Sequence, residues 1–315
     1  MTRTTEGARN LEALARLFPT TVCNAQTSEL PEIHLFHAPN SVCSQKVRIV
    51  LFEADAPFYS HQLNVGKGDT YQPAYVRLRA EACQANGFGF AADHRGSTSV
   101  TDMGCDACVV PTVIDEVSGT VLIDSLRICI ALDEQLGAGL RPDEFASAID
   151  HEISIVDSLP NYPLLASKMH GSTADGGNSF ALGKASRCEA LIAAHADEPL
   201  LVAAYAAKRD KELAANDRLF TPAALAQAEQ DMRAALEKLA DRLPPDQDFR
   251  FSDRMTLADI FWAVELIRNR DIGYGAWVDV LPRLAEYEAR LRAVPSVQQA
   301  ILEWAGAKPH LLHST

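Results

Sequence analysis

The sequence predicts a mixed α/β domain followed by an all-helical domain. Strand-like and helix-like segments alternate through residues 32–138, whereas from Asp143 onward only long stretches rich in Ala, Leu, Glu and Arg follow, with the spacing of helices. A switch from mixed to purely helical periodicity indicates two packed units within one chain. The predicted domains are 32–138 and 143–305, joined by the short segment GAGLRP and preceded by a partly ordered extension at residues 1–31.

The first half of the α/β domain is predicted as strand, helix, strand and helix. Residues 32–37 and 58–65 have the alternation of strands, and residues 41–54 between them place their apolar side chains on one helical face. A further helix is predicted at 72–80. Residues 81–108 are rich in Gly, Ser, Asp and Ala and lack periodicity, so they are predicted to be an inserted loop.

The second half of this domain is predicted as a hairpin and a capped helix. Strands at 112–115 and 121–123 flank a Ser-Gly pair, where glycine tolerates the positive φ of a tight turn. Ser125 is placed to cap a helix that runs to about Leu136. The hairpin and the preceding strands predict a small mixed sheet.

The second domain is predicted to be entirely helical. The segment TLAD, residues 256–259, has the pattern of a capping box at the start of a buried helix. Residues 171–179 (GSTADGGNS) are predicted to be a flexible break. The helices are predicted at 144–157, 162–170, 180–195, 197–215, 221–243, 256–270, 279–293 and 296–304.

Composition and charge exclude several classes of protein. The chain has 315 residues and a formal net charge of −13 without a long Lys/Arg run, which argues against nucleic-acid binding. No apolar run approaches the roughly 18 residues that cross a bilayer, and the N-terminus lacks an apolar signal core. The seven cysteines are an odd number, which indicates a reducing, cytoplasmic location rather than a disulfide framework.

Cys43 is the first candidate for chemistry. If Ser41 or Asn40 caps the helix over 41–54, Cys43 lies in its first turn, where free N–H groups and the helix dipole favour an anion. Such a cysteine can have a lowered pKa and react as a thiolate, and Lys46 and Arg48 add positive charge nearby. The alternative is that Cys43 is a small buried apolar residue.

Two further segments suggest a ligand with a peptide backbone. A proline cannot donate to a strand ladder, so Val110-Pro111 is either a cis bond that turns the Val110 backbone toward a ligand or an ordinary strand start. Asp124 and Ser125 open a helix whose N-terminus suits a carboxylate, and Asp124 suits an ammonium group, although both could simply be caps. Glutathione has an amino-acid end and a peptide backbone, and its sulfur would point toward Cys43.

The inserted loop allows two interpretations. Cys83, His94, Cys105 and Cys108 could form a zinc site, or the loop could carry incidental thiols. One CxxC pair is weak support for zinc, so we predict no metal. The sequence also lacks HExxH, GxGxxG, phosphate-loop and GxSxG motifs, which argues against nicotinamide, ATP and serine-hydrolase chemistry.

The order of these features resembles the glutathione transferase superfamily. The strings SVCSQKVR, YVRLR, VVPTVID, IDSLRIC and RMTLADIFWAVEL are similar to those of its glutathione-dependent reductive dehalogenases of chlorinated hydroquinones. The resemblance covers roughly residues 33–304 apart from the insertion. It implies a thioredoxin-like N-terminal domain, an all-α C-terminal domain, a dimer with an identical or related chain, and glutathione as co-substrate.

The resemblance also implies roles for individual residues. Cys43 would be the catalytic thiol, with Ser41 near the glutathione sulfur. Val110 and Pro111 would hold the cysteinyl backbone of glutathione. Asp124 and Ser125 would bind its γ-glutamyl end, and Lys67 or Arg77 is a weaker candidate for its glycine carboxylate.

The implied activity is reductive dehalogenation of an aromatic substrate during the degradation of aromatic compounds. Glutathione would displace chloride from a chlorinated hydroquinone, and Cys43 would then take the sulfur from the adduct. Two alternatives stay open: a glutathione-dependent β-etherase that cleaves lignin-derived aryl ethers without Cys43 in that step, and a non-catalytic subunit of the same fold.

Overall fold

A computed structural model describes residues 6–24, 30–94, 104–170 and 177–306. Residues 1–5 and 25–29 of the predicted extension, residues 171–176 of the predicted break and residues 95–103 of the predicted insertion lie outside these ranges. No helix in the described ranges has both the length and the apolar character needed to cross a bilayer.

The α/β domain is built on a five-stranded mixed sheet in the order β1-β3-β2-β4-β5. Its central strand β2 is buried at every position and runs parallel to β3 and antiparallel to β4; β4 and β5 form the predicted hairpin. The strands are Thr20–Cys23 (β1), Ile33–His37 (β2), Phe58–Gln62 (β3), Thr112–Asp115 (β4) and Thr120–Ile123 (β5).

Helices cover both faces of this sheet, as the predicted thioredoxin-like fold requires. The second and fourth helices pack Val47, Val50 and Ile128 against Leu35 in one large core that continues into the helical domain. The other face is covered by the first and third helices, around Tyr75. The four helices are Glu6–Ala15 (α1), Val42–Glu53 (α2), Pro73–Ala85 (α3) and Ser125–Leu136 (α4).

Two parts of the α/β domain differ from the prediction. Helix α3 continues to Ala85, five residues past its predicted end at Ala80, because this stretch buries Ala82 and Cys83. The N-terminal extension belongs to the domain: β1 pairs antiparallel with the outer edge of β3. The residues of β1 are mostly exposed and show no strand-like alternation of apolar and polar side chains. Pairing with β3, rather than the local sequence pattern, therefore determines this strand.

The second domain is helical, as predicted. Its central helix α10 is buried at every residue and begins at the predicted capping box, where Asp259 accepts a hydrogen bond from the Thr256 backbone N–H at 2.8 Å. The main helices are Ala146–Asp157 (α5), Asn161–His170 (α6), Ser179–Ala194 (α7), Pro199–Leu219 (α8), Pro222–Arg242 (α9), Leu257–Asn269 (α10) and Pro282–Ala293 (α11). Shorter helical segments lie at Arg270–Tyr274, Gly275–Asp279, Pro295–Val297 and Gln298–Leu302.

Helix α2 joins the two domains. Its Arg48 guanidinium donates from Nε and Nη2 to the Ala300 carbonyl at 2.9 and 2.7 Å, and the Lys46 ammonium pairs with Asp157 of α5 at 3.0 Å. Both cations are almost fully buried. They therefore hold the helical domain against the helix that carries Cys43.

Candidate active site

A cleft of about 900 Å³ lies between the two domains. It brings together the residues predicted for the thiol, for the cysteinyl backbone and for the γ-glutamyl end of glutathione, although these residues come from three separate segments of the chain. The predicted residues that line it are Ser41, Cys43, Val110, Pro111, Asp124 and Ser125.

Cys43 occupies the predicted place in the first turn of α2. Ser41 is the N-cap, and its hydroxyl accepts a hydrogen bond from the Ser44 backbone N–H at 3.4 Å. Cys43 is partly exposed and lines the cleft, whereas Cys129 of α4 is a buried free cysteine outside the cleft lining. The alternative of an apolar core residue therefore fits Cys129 and not Cys43.

The electrostatics of Cys43 differ from the expectation of a lowered pKa. Burial raises the pKa of the Cys43 thiol above its ordinary value, against the opposing effects of Lys46 and of a hydrogen bond with Ser125. Lys46 forms an ion pair with Asp157, which offsets much of its charge. The Arg48 guanidinium hydrogen-bonds with Ala300 and His37 instead of the thiol. In the free protein the thiol is therefore mostly protonated at neutral pH, although Lys46 and the Ser125 hydroxyl favour its ionisation.

The peptide bond between Val110 and Pro111 is cis, as the first of the two interpretations predicted. The Val110 backbone N–H and C=O have no hydrogen-bond partner among the described residues, so both are available to an extended ligand. Arg79 holds the turn in place by donating from Nη1 to the Pro111 carbonyl and to the Thr112 hydroxyl, both at 2.6 Å. No local sequence signal predicts this role of Arg79, because its partners lie 32 and 33 residues further along the chain.

Asp124, not Ser125, caps α4. One Asp124 carboxylate oxygen, Oδ1, accepts from the backbone N–H groups of Leu126 and Arg127 at 3.1 and 3.4 Å. The other, Oδ2, has no hydrogen-bond partner in the described part of the chain. Burial, with the charge of Asp157, raises the pKa of Asp124 to about 6. Ser125 is thereby freed from capping, and its hydroxyl acts to lower the pKa of the Cys43 thiol.

Arg187 of α7 was missed by the sequence analysis. Its guanidinium packs against Gly68, whose φ of +90° and lack of a side chain leave room for it, and lies over the Tyr71 ring at 5.3 Å. No hydrogen bond or ion pair joins this side chain to the described residues, and it lines the cleft. Arg77 and Lys67, the two residues predicted for the glycine carboxylate of glutathione, do not line the cleft. Arg77 pairs with Glu198, and Lys67 is exposed.

The structure does not support the zinc interpretation of the insertion. Cys83 and Cys105 form a disulfide, with their Cα atoms 6.2 Å apart, which also departs from the expectation that all cysteines are reduced. His94 lies instead beside Glu212, at 3.5 Å. Cys108 is a buried free thiol. Among the described residues no group of three or more His, Cys, Asp or Glu is placed to hold a metal ion.

The insertion is instead fixed to α8 by buried charges. Asp106 accepts from the ammonium groups of Lys208 and Lys211 at 2.8 and 3.2 Å, and Lys208 also pairs with Glu212 at 2.9 Å. These four side chains are nearly inaccessible to solvent. The two lysines hold the pKa of Asp106 far below its usual range despite its burial. Asp106 and Lys208 line the cleft, so this network also shapes the site.

One face of α7 forms a wall of the cleft. Phe180, Gly183, Lys184 and Arg187 follow each other at helical spacing along the cleft. The Lys184 ammonium lies 3.9 Å from the centre of the Phe180 ring, and burial lowers the pKa of Lys184 to about 8. An aromatic and cationic wall of this kind suits an aromatic compound with acidic hydroxyl groups.

Both domains match the family models of one protein family. The model of the glutathione S-transferase N-terminal domain matches residues 40–135, and that of the C-terminal domain matches residues 222–290. The chain is 35% identical to a 2,5-dichlorohydroquinone reductive dechlorinase of Sphingobium indicum, over 89% of this chain and 85% of the relative.

Two more distant similarities extend the comparison. The chain is 24% identical to the tetrachloro-p-hydroquinone reductive dehalogenase of Sphingobium chlorophenolicum, over 88% of this chain and 99% of that protein. Its fold is similar to that of the β-etherase LigF from Sphingobium sp. strain SYK-6, with a TM-score of 0.54, 16% identity and coverage of 85% of this chain and 98% of that one. From the domain matches and the identity to the first relative, it follows that the chain belongs to the glutathione S-transferase family.

Proposed function

We propose that the protein is a glutathione-dependent reductive dehalogenase of a chlorinated hydroquinone. The observation that carries the proposal is the position of Cys43: a thiol at the head of α2, in the same cleft as the cis-Val110 turn and the Asp124-Ser125 helix start. The dechlorinase named above, at 35% identity over most of both chains, supports the same chemistry.

In this proposal glutathione lies along the cleft with its sulfur between Ser125 and Cys43. The free Asp124 oxygen binds the γ-glutamyl ammonium, and the Val110 backbone pairs with the cysteinyl unit. The glutathione thiolate displaces chloride from the aromatic ring, and the Cys43 thiolate then attacks the sulfur of the adduct. A second glutathione releases Cys43 by thiol–disulfide exchange.

The product of the reaction tests the proposal. Incubation with glutathione and a panel of chlorohydroquinones and β-aryl ethers is expected to yield, by mass spectrometry, a hydroquinone that has lost chlorine, together with oxidised glutathione in a one-to-one ratio. The β-etherase alternative, which the fold similarity to LigF keeps open, instead predicts a released phenol and a stable thioether. If neither product forms and glutathione does not bind, the alternative of a non-catalytic subunit gains support.

We further propose that Arg187 binds the glycine carboxylate of glutathione. It is a cation without a hydrogen bond or ion pair among the described residues, on the α7 wall of the cleft beside the loop around Gly68. A charge-assisted hydrogen bond to a carboxylate contributes about 1.5–3 kcal/mol. The substitution Arg187→Gln is therefore expected to raise the Kd for glutathione about tenfold or more, measured by calorimetry.

The control for this prediction is Arg77→Gln, which removes the same charge from an exposed pair with Glu198 and should leave the Kd unchanged. Glutathione esterified at its glycine carboxylate provides a second control, because it should bind the native protein and Arg187→Gln equally weakly. A native protein that binds the ester as tightly as glutathione itself would contradict the assignment.

A dimer of identical or related chains and a cytoplasmic location remain predictions from the resemblance and the sequence.

The helical wall of Lys184 and Phe180 is proposed to receive the aromatic ring of the substrate.

A further inference from the structure

Arg268 is a buried cation at the end of α10 that the proposed glutathione site does not use. It is 3% exposed and lines the same cleft as Cys43. Burying a guanidinium in such a position is unfavourable unless its donors are paired. Arg268 therefore calls for a physical explanation.

The contacts of Arg268 with the protein are incomplete. Its Nη2 donates to the Asn40 carbonyl, which directly precedes the cap of α2. Its Nε is fully buried and has no hydrogen-bond partner among the described residues. Asp271 and Glu265 interact with its charge, and so does Cys43, which places the guanidinium within electrostatic reach of the thiol.

Two other buried arginines show what a purely structural role requires. Arg48 directs its Nε, Nη1 and Nη2 to backbone carbonyls of Ala300, Ala38 and Pro39, and it does not line the cleft. Arg79 likewise directs Nε, Nη1 and Nη2 to backbone oxygens of the cis-proline turn and the insertion. Arg268 differs from both because it keeps an unused donor while lining the cleft that contains Cys43.

We propose that Arg268 binds a ring oxygen of the aromatic substrate and stabilises the phenolate that forms when Cys43 removes the glutathione sulfur. This inference rests on the proposed function and adds a catalytic residue to it. A guanidinium is always charged under working conditions and matches an oxyanion in geometry, so it is suited to this task.

The electron balance of the step shows where the negative charge develops. In its keto tautomer, the adduct has one ring carbon that carries hydrogen and the glutathione sulfur, next to a carbonyl. The Cys43 thiolate attacks the sulfur, the S–S bond forms and the C–S bond breaks. The electron pair of the C–S bond passes into the ring and onto the carbonyl oxygen. The dechlorinated product therefore forms as a phenolate. The ring is reduced, and the two sulfurs are oxidised to the Cys43–glutathione disulfide.

The first test measures this step directly with a synthetic glutathionyl hydroquinone. In a single turnover followed by intact mass of the mixed disulfide, Arg268→Met is expected to slow disulfide formation about 100-fold, the effect of losing one oxyanion donor. Arg268→Lys is expected to recover part of the rate. Arg270→Met is the matched control, because it removes a charge two residues away that pairs with Glu288 and Asp279 outside the cleft.

The second test does not depend on dehalogenation. The probe 4-nitrophenol absorbs visible light only as the phenolate and ionises near neutral pH, so its ionisation can be titrated while it is bound with glutathione. In the native protein the pKa of the bound probe is expected to be at least about one unit lower than in Arg268→Met. In Arg270→Met it is expected to equal the native value.

The inference would be overturned if the bound probe titrated equally in the native protein and in folded Arg268→Met. It would also be overturned if Arg268→Met formed the mixed disulfide within threefold of the native rate. If Arg268→Met does not fold, Arg268→Lys decides, because an unchanged titration and rate would show that no guanidinium-specific contact is made. A native protein that shifts the probe yet never dechlorinates would contradict the proposed function while supporting phenolate binding by Arg268.

Discussion

Replacing Cys43 with serine is expected to stop the proposed cycle after its first half. A serine hydroxyl can stabilise a thiolate by a hydrogen bond, but it cannot form a disulfide with the sulfur of the adduct. We expect release of the dechlorinated product to fall by at least about 10³-fold, while one equivalent of glutathionyl hydroquinone accumulates on the protein. Quenched-flow with mass analysis of the bound and released aromatic species measures both quantities.

The matched control is Cys23→Ser, because Cys23 is another partly exposed free cysteine but lies on β1, outside the cleft. It should dechlorinate at the native rate. Native-rate dechlorination by Cys43→Ser would remove Cys43 from the mechanism. Unchanged cleavage of a β-aryl ether by the same variant would favour the etherase alternative.

The largest effect on stability is expected from Asp106→Asn. This change leaves the ammonium groups of Lys208 and Lys211 buried without the carboxylate that both contact. Breaking a buried ion pair by removing one partner costs about 3–5 kcal/mol, so we expect the free energy of unfolding in urea at neutral pH to fall by that amount. The exposed pair of Arg141 with Asp150 is the control, since Asp150→Asn should cost less than about 1 kcal/mol.

The same network predicts how stability depends on pH. The folded state holds the pKa of Asp106 far below that of the unfolded chain, which is about 3.9. Its contribution is therefore present in full above pH 4 and is lost as the pH falls below that value. Asp106→Asn should remove this part of the acid sensitivity. Equal losses of stability in Asp106→Asn and Asp150→Asn would contradict the network's importance.

These charges also connect the insertion to the site. Asp106 and Lys208 line the cleft, and the Asp106 carbonyl accepts from Arg79, which holds the cis-proline turn. The Asp106→Asn variant keeps this backbone carbonyl but loses the ion pairs that hold the segment carrying it against α8. We therefore expect calorimetry to show weaker glutathione binding by this variant, because the Val110 backbone depends on that turn.

Much of the candidate site could be predicted because its signals are local. The cap at Ser41 and the position of Cys43 depend on hydrogen bonds between residues three or four apart. The chemistry of proline made a cis bond at Pro111 one of two alternatives, and the structure has this one. The capping box at Thr256 follows from a four-residue pattern. Such interactions are readable from neighbouring residues, which is why these features agree between sequence and structure.

Other features could not be predicted, because they depend on partners far along the chain. Strand β1 forms because it pairs with the edge of β3. Arg187 and Arg268 line the cleft from helices of the second domain. The direction of the Cys43 pKa shift was predicted wrongly, because the helix start favours the thiolate but the surrounding protein removes the water that would stabilise it.

The sequence by itself determined the two-domain plan and the helix that presents Cys43, whereas it left open whether Pro111 forms a cis turn that exposes the Val110 backbone. Only the tertiary structure decided which charges are neutralised by partners and which remain for a ligand. The physical reason is that backbone conformation follows from short-range sterics and hydrogen bonds. The energy of a buried charge, by contrast, depends on all the groups that folding brings around it.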